Sequence, residues 1–131
     1  MRKLIYIMFM VITIVLVGCQ KSGDTKNIQV DLGQSEVYSK EDREKAIECV
    51  KEKFKEFKNC EMTRIWYDET EDYTKSVAEK DKNGIVLYAS FNTGDVDEQS
   101  GLSDNKEYEF SWTLERDNKD GQWKVVDYGV G

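Results

Sequence analysis

Three kinds of side chain in this sequence could carry chemistry: thiols, carboxylates beside tyrosines, and clustered acids. The thiols are Cys19, Cys49 and Cys60. A thiol attacks as thiolate, and a low thiol pKa needs cationic neighbours. The chain has no histidine, so the usual general base and the commonest metal ligand are both missing. Ser-His-Asp and Cys-His catalysis are excluded, as is every zinc site built on an imidazole. Cys49 and Cys60 stand beside Glu48 and Glu61. Nearby carboxylates raise a thiol pKa, and neither thiol is expected to be a nucleophile.

Carboxylate and tyrosine adjoin at Tyr67-Asp68 and at Asp127-Tyr128. A carboxylate with a raised pKa can act as a base. The plainer reading is a strand-end Asp beside a core Tyr, and no catalytic residue is assigned. The run Asp95-Val96-Asp97-Glu98-Gln99-Ser100-Gly101 begins like a calcium loop. Such a loop needs Gly at its sixth position and Glu at its twelfth, where this chain has Ser100 and Lys106. Asp68, Glu69, Glu71 and Asp72 form a second acidic cluster, a weak cation site at most. No metal site and no cofactor are expected. The net charge is −7, which repels nucleic acid and anionic lipid heads. Basic residues alternate with acidic ones and no glycine-rich phosphate loop occurs, so no nucleic-acid partner is expected.

The N-terminus reads as an address. Met1-Arg2-Lys3 is a short positive region, and Leu4 to Val17 is an apolar run. A membrane-spanning helix needs roughly 20 apolar residues, more than this run supplies. Gly18 is the small residue a signal peptidase would cut after. Leu16-Val17-Gly18-Cys19 resembles the lipobox of bacterial lipoproteins. That resemblance implies removal of residues 1–18 by cleavage between Gly18 and Cys19, and lipidation of the Cys19 thiol. Residues 19–35 are then expected to be the lipidated Cys and a flexible tether. The polar run from Gln20 to Asn27 shows no period and little to bury. Ile28, Val30 and Leu32 alternate with polar residues, which fits a short edge strand, an arm along the domain, or more tether.

Residues 36–131 are expected to form one α+β domain. Ser39 can cap a helix whose apolar stripe is Ala46, Ile47, Val50, Phe54 and Phe57, within an arc of about 100°. Lys53, Lys55 and Lys58 suit its C-terminal end, and Asn59 tolerates the left-handed conformation that ends helices. Cys49 to Phe57 rises about 12 Å along such a helix, and the three residues to Cys60 return at most about 10 Å. A disulfide needs Cα atoms within about 7 Å. Geometry thus favours two free thiols, the even count favours a bridge, and both readings stand. Four strands follow: Cys60 to Tyr67, Ile85 to Phe91, Tyr108 to Leu114 and Trp123 to Tyr128. The segment Asp68 to Asn83 is polar, with only Tyr73 and Val77 hinting at a helix face. Ile85 to Phe91 is apolar on both phases, the mark of a strand covered on both faces. The expected fold is an N-terminal helix packed on a curved four-stranded antiparallel sheet.

This α-β-β-β-β order resembles the cystatin-like architecture and its larger nuclear-transport-factor-2-like form. Within that group it is similar to small Gram-positive lipoproteins of unknown function. The segments that carry the likeness are Tyr38-Ser39-Lys40-Glu41-Asp42, Cys49-Val50-Lys51-Glu52-Lys53-Phe54, Trp66-Tyr67-Asp68-Glu69 and Gly121-Gln122-Trp123-Lys124-Val125-Val126-Asp127.

A surface remains to be assigned. Asn118-Lys119-Asp120-Gly121 suits a type I turn followed by a left-handed glycine. In that register Leu114 faces Val126, and Trp112 faces Tyr128, on the helix side with Phe110. Trp123 and Val125 then join Val86 and Tyr88 on the opposite face as a candidate binding surface. A loop one residue longer or shorter reverses these assignments. The expected function is a lipid-anchored binding or interaction module on the outer face of the cytoplasmic membrane. Its membrane attachment is the lipid at Cys19. Its partner is an unidentified protein or small molecule, or a second copy of the chain. The alternatives are a small enzyme using Asp and Tyr in a sheet pocket, or an accessory subunit of a surface complex.

Overall fold

A computed structural model describes residues 21–130. The signal segment, Gly18 and the lipidation candidate Cys19 lie outside the described residues. Among the described residues the fold is α+β, with five strands and two helices where four strands and one helix were expected. Strand β1 (Gln29–Asp31) leads into helix α1 (Lys40–Phe54) and strand β2 (Cys60–Trp66). Helix α2 (Asp72–Lys80) follows, then β3 (Gly84–Thr93), β4 (Glu107–Glu115) and β5 (Lys124–Val130). The strands lie side by side in sequence order, β1 parallel to β2 and every later pair antiparallel. The parallel pair corrects the antiparallel expectation. A helix between β1 and β2 brings the chain back in its original direction, which a tight turn cannot do.

Helix α1 begins where Ser39 accepts a hydrogen bond from the Asp42 N–H at 3.0 Å. It buries Ala46, Ile47, Val50 and Phe54 against one face of the sheet, the inner face, as its stripe requires. The helix stops at Phe54, three residues before the expected end. The Phe57 N–H bonds to the Phe54 carbonyl in a tight turn, and Asn59 takes φ +60° before β2.

On β2 the buried residues are Cys60 and Met62, then Ile65, with Tyr67 just beyond the strand. A bulge between Met62 and Arg64 inserts Thr63 and restores inward alternation after it. Helix α2 covers part of the other face. Its Thr74 and Ala78 are buried, Val77 approaches Gly84, and the Tyr73 hydroxyl lies 3.3 Å from that of Thr113. Val86, directly opposite Thr113, is fully buried.

The last hairpin departs from the expected register. Lys124 pairs with Glu115 and Val125 with Leu114, and a bulge at Val126 returns Tyr128 to Trp112. Leu114 therefore faces Val125, not Val126. Gly121 does not adopt a left-handed φ. Residues 116–123 form a wider connection because Trp123 is drawn beneath the start of α1. There its indole N–H donates to the Asp42 carbonyl at 3.2 Å, and the Arg116 guanidinium stacks on its ring at 4.3 Å.

Residues 21–24 differ from the expected flexible linker. Asn59 donates to the Lys21 carbonyl at 3.0 Å, Gly23 to Lys55 at 3.1 Å, and Asp24 to Cys60 at 2.9 Å. Met62 donates in turn to the Asp24 carbonyl at 2.8 Å. The side chains of this segment are polar, but its backbone is paired, which hydropathy does not register. A Cβ at Gly23 would run into the Phe54 carbonyl oxygen. Gly23→Ala should therefore destabilise the domain by about 1–3 kcal/mol, the usual cost of overpacking. Ser22→Ala, at an exposed position, should stay within about 0.5 kcal/mol of wild type. Urea midpoints compare the two, and equal midpoints would show that residues 21–24 are not docked.

Candidate functional site: an aromatic cavity beyond the first helix

Helix α1 ends before the sheet does. Phe57, three residues past Phe54, stays on the inner face beyond the helix end. It lies 5.1 Å from Phe54, 5.4 Å from Trp112 and 5.3 Å from Tyr128, ring centre to ring centre. Strand β4 contributes Tyr108 and Phe110, and β5 contributes Tyr128 and Val130. Alternation requires this, because Phe110 pairs with Val130 and Trp112 with Tyr128 on one face. The connection between β3 and β4 brings in Val96 and Leu102. Together they line an open cavity of about 720 Å³, within the range of small-molecule sites.

Four of the lining residues, Phe57, Tyr108, Phe110 and Tyr128, are aromatic. Tyr128 stacks on Trp112 at 4.9 Å yet remains 44% exposed, and Val130 is 79% exposed. Tyr108 stacks on Phe91 at 5.6 Å and carries the Lys106 ammonium 5.4 Å from its ring centre. The Ser103 N–H donates to the Tyr108 hydroxyl at 2.9 Å and holds its pKa below the ordinary phenol value. Glu56, Lys58, Asp95 and Asp97 also line the cavity. Cys60 borders it as well, and burial pushes its thiol pKa up. Cys49, whose thiol donates to the Trp123 carbonyl at 3.2 Å, is likewise pushed up by burial. Both thiols are free, which resolves the two readings of their spacing. A raised pKa leaves each mainly protonated at neutral pH.

The four residues expected to share a surface are not brought together. Trp123 is 7% exposed and lies with Val125 on the inner face, because the wider hairpin connection and the Val126 bulge reverse their phase. Val86 is covered by α2. Of the four, Tyr88 alone is partly open on the outer face, stacked at 5.9 Å on Trp66, whose ring carries the Arg64 guanidinium. Asp127 pairs with Thr113 and projects from the face opposite Tyr128. The calcium-like run instead closes on itself: Val96 donates to the Asp104 carboxylate at 2.8 Å, and Glu98–Ser100 forms a single 3₁₀ turn. Among the described residues no group of acids and thiols is arranged to hold a metal ion.

Phe57, Tyr108 and Phe110 carry the cavity, and none was singled out as a site residue. The available signal was an excess of aromatics on the phase that one short helix must cover. No family model matches the chain, and neither curated proteins nor solved structures give a match.

The opposite end of the sheet is closed by a polar clasp. Glu69 accepts from the hydroxyls of Ser35 at 2.5 Å and Tyr67 at 2.7 Å, and from the Glu36 N–H at 3.1 Å. Arg43, itself buried, donates to the Leu32 and Gly33 carbonyls at 2.7 Å each. Burial pushes the Glu69 pKa up, but these donors and the Arg43 charge outweigh it and hold the carboxyl below its usual range. Burial also pushes the Tyr67 phenol well up, so it remains a donor. A carboxyl with a lowered folded pKa stabilises fully above its unfolded pKa, near 4.3 for Glu, and loses this as pH falls through the folded value. Wild-type stability should therefore drop more steeply than that of Glu69→Gln below about pH 4. Urea midpoints between neutral and acid pH measure this, and parallel curves would contradict it.

Proposed function

We propose that this chain is a lipid-anchored, extracytoplasmic binding module of cystatin-like type that takes its ligand into the aromatic cavity beyond α1. The observation that carries the reading is a preformed cavity of about 720 Å³ walled by Phe57, Tyr108, Phe110 and Tyr128. Aromatic and aliphatic side chains interleaved with charged and amide groups, as here, can both hold and orient a small molecule. Of the two pairs behind the rival enzyme reading, Asp127 and Tyr128 project from opposite faces of the sheet, and Tyr67-Asp68 lies at the far end from this cavity.

Chain reach supports a specific orientation. The Lys21 carbonyl is bonded to Asn59, and Asn59 lines the cavity. Cys19 is two residues before Lys21, and two residues span at most about 7 Å. A lipid on Cys19 holds this end of the domain at the bilayer surface, with the cavity beside it and the Asp42–Arg116 end pointing away. A nitroxide placed at position 102, in the cavity wall, should then be broadened by membrane-dissolved oxygen when the lipidated chain sits in vesicles. A nitroxide at position 82, in the turn before β3, should respond only to a water-soluble relaxant. Equal responses at the two positions would remove the proposed orientation. An unlipidated Cys19 in the mature protein, read by mass spectrometry, would remove the anchor.

A further inference from the structure

We infer that the ligand of this cavity is a small organic cation, an ammonium group carried on an apolar body. The inference rests on the binding reading above and adds the chemistry of the ligand. Two features of the cavity converge on it. The first is its charge. Glu56, Asp95 and Asp97 are set against a single lining cation, Lys58. Lys53 holds Glu56 at 3.0 Å, while the exposed carboxylates of Asp95 and Asp97 have no ion-pair partner among the described residues. The acidic chain as a whole adds attraction for cations at longer range.

The second feature is the wall. An aromatic face carries a negative quadrupole and attracts a cation set over it, most strongly where water is excluded. Tyr128 has one face stacked on Trp112 and stays 44% exposed, so part of the ring is left for a ligand. Tyr108, stacked on Phe91 and holding the Lys106 ammonium, is already engaged, so the ligand's cation is assigned to Tyr128. An anion would meet unpaired carboxylates at the cavity edge. A neutral apolar molecule would use the walls and leave those carboxylates without a role.

The test uses three probes of similar shape: benzyltrimethylammonium, benzyl alcohol and benzenesulfonate. The full chain is labelled with 3-fluorotyrosine and held in phosphatidylglycerol nanodiscs. The fluorine resonances of Tyr108 and Tyr128 report cavity occupancy, each assigned by its Phe variant. Benzyltrimethylammonium should shift both resonances and bind at least about tenfold more tightly than the alcohol. The double variant Asp95→Asn, Asp97→Asn, altered only at exposed positions, should bring that ratio close to one. Tyr128→Leu should weaken the cation more than the alcohol. If the alcohol or the sulfonate binds as tightly as the cation, the cation inference falls and the binding reading stands. If none of the three probes shifts Tyr108 or Tyr128, both fall.

Discussion

The packing of Phe54 and Phe57 across the inner face is the contact on which the rest of the structure depends. Phe54 is the last helical residue and packs edge-on to Phe91 of β3 at 5.4 Å. Phe57 carries the same apolar surface past the helix end, onto Trp112 and Tyr128. Because the helix stops there, the chain reverses through Asn59 over the sheet instead of running beyond it. The reversal supplies the backbone groups to which residues 21–24 bond, and Gly23 fits there only because it lacks a Cβ. A longer helix would fill the inner face, leaving neither a cavity nor a docking groove for the N-terminal segment.

The two ends of the sheet are consequently treated differently. At the start of α1, buried guanidinium groups bind the loops. Arg43 holds the connection before α1, and Arg116 joins Asp42 at 3.1 Å while stacking on Trp123. Buried charges survive only when paired and hydrogen-bonded, so these contacts hold that end to one arrangement. The other end combines aromatic stacking with hydrogen bonds from residues 21–24 and the β3–β4 connection, and has no buried guanidinium among the described residues. An aromatic wall tolerates an incoming flat or cationic group at little cost, because stacking is less directional than a buried ion pair.

Much of this was legible in the sequence where a local pattern decided the outcome. The stripe from Ala46 to Phe54 and the Ser39 cap fixed α1, and the double-phase apolar run of β3 announced cover on both faces. What supplied the second cover was harder to see. Helix α2 buries Thr74 and Ala78, two small residues that hydropathy scarcely marks, while its Tyr73 is 51% exposed. Trp112 faces Tyr128 as expected, but the turn end of the hairpin departs from its expected register for a nonlocal reason. Trp123 is positioned by the Asp42 carbonyl and Arg116, and no turn rule applied to residues 118–121 could anticipate that. The cavity was illegible for a further reason. It is a difference in length between a helix and the sheet beneath it, and no single residue encodes that. Phe110, Trp112 and Tyr128 lie on the helix side as expected, and Trp123 lies there too instead of on the outer face.

Tyr128 and Val130 on the inner face stand open while Trp112 and Trp123 are packed in the core. Paramagnetic relaxation by a nitroxide dissolved in water tests this most directly, read on assigned side-chain protons of the full chain. The account predicts strong relaxation at Tyr128 and Val130, and protection at Trp112 and Trp123, which are 0% and 7% exposed. Protection of Tyr128 equal to that of Trp112 would mean that the β3–β4 connection closes over the site, and would contradict the account.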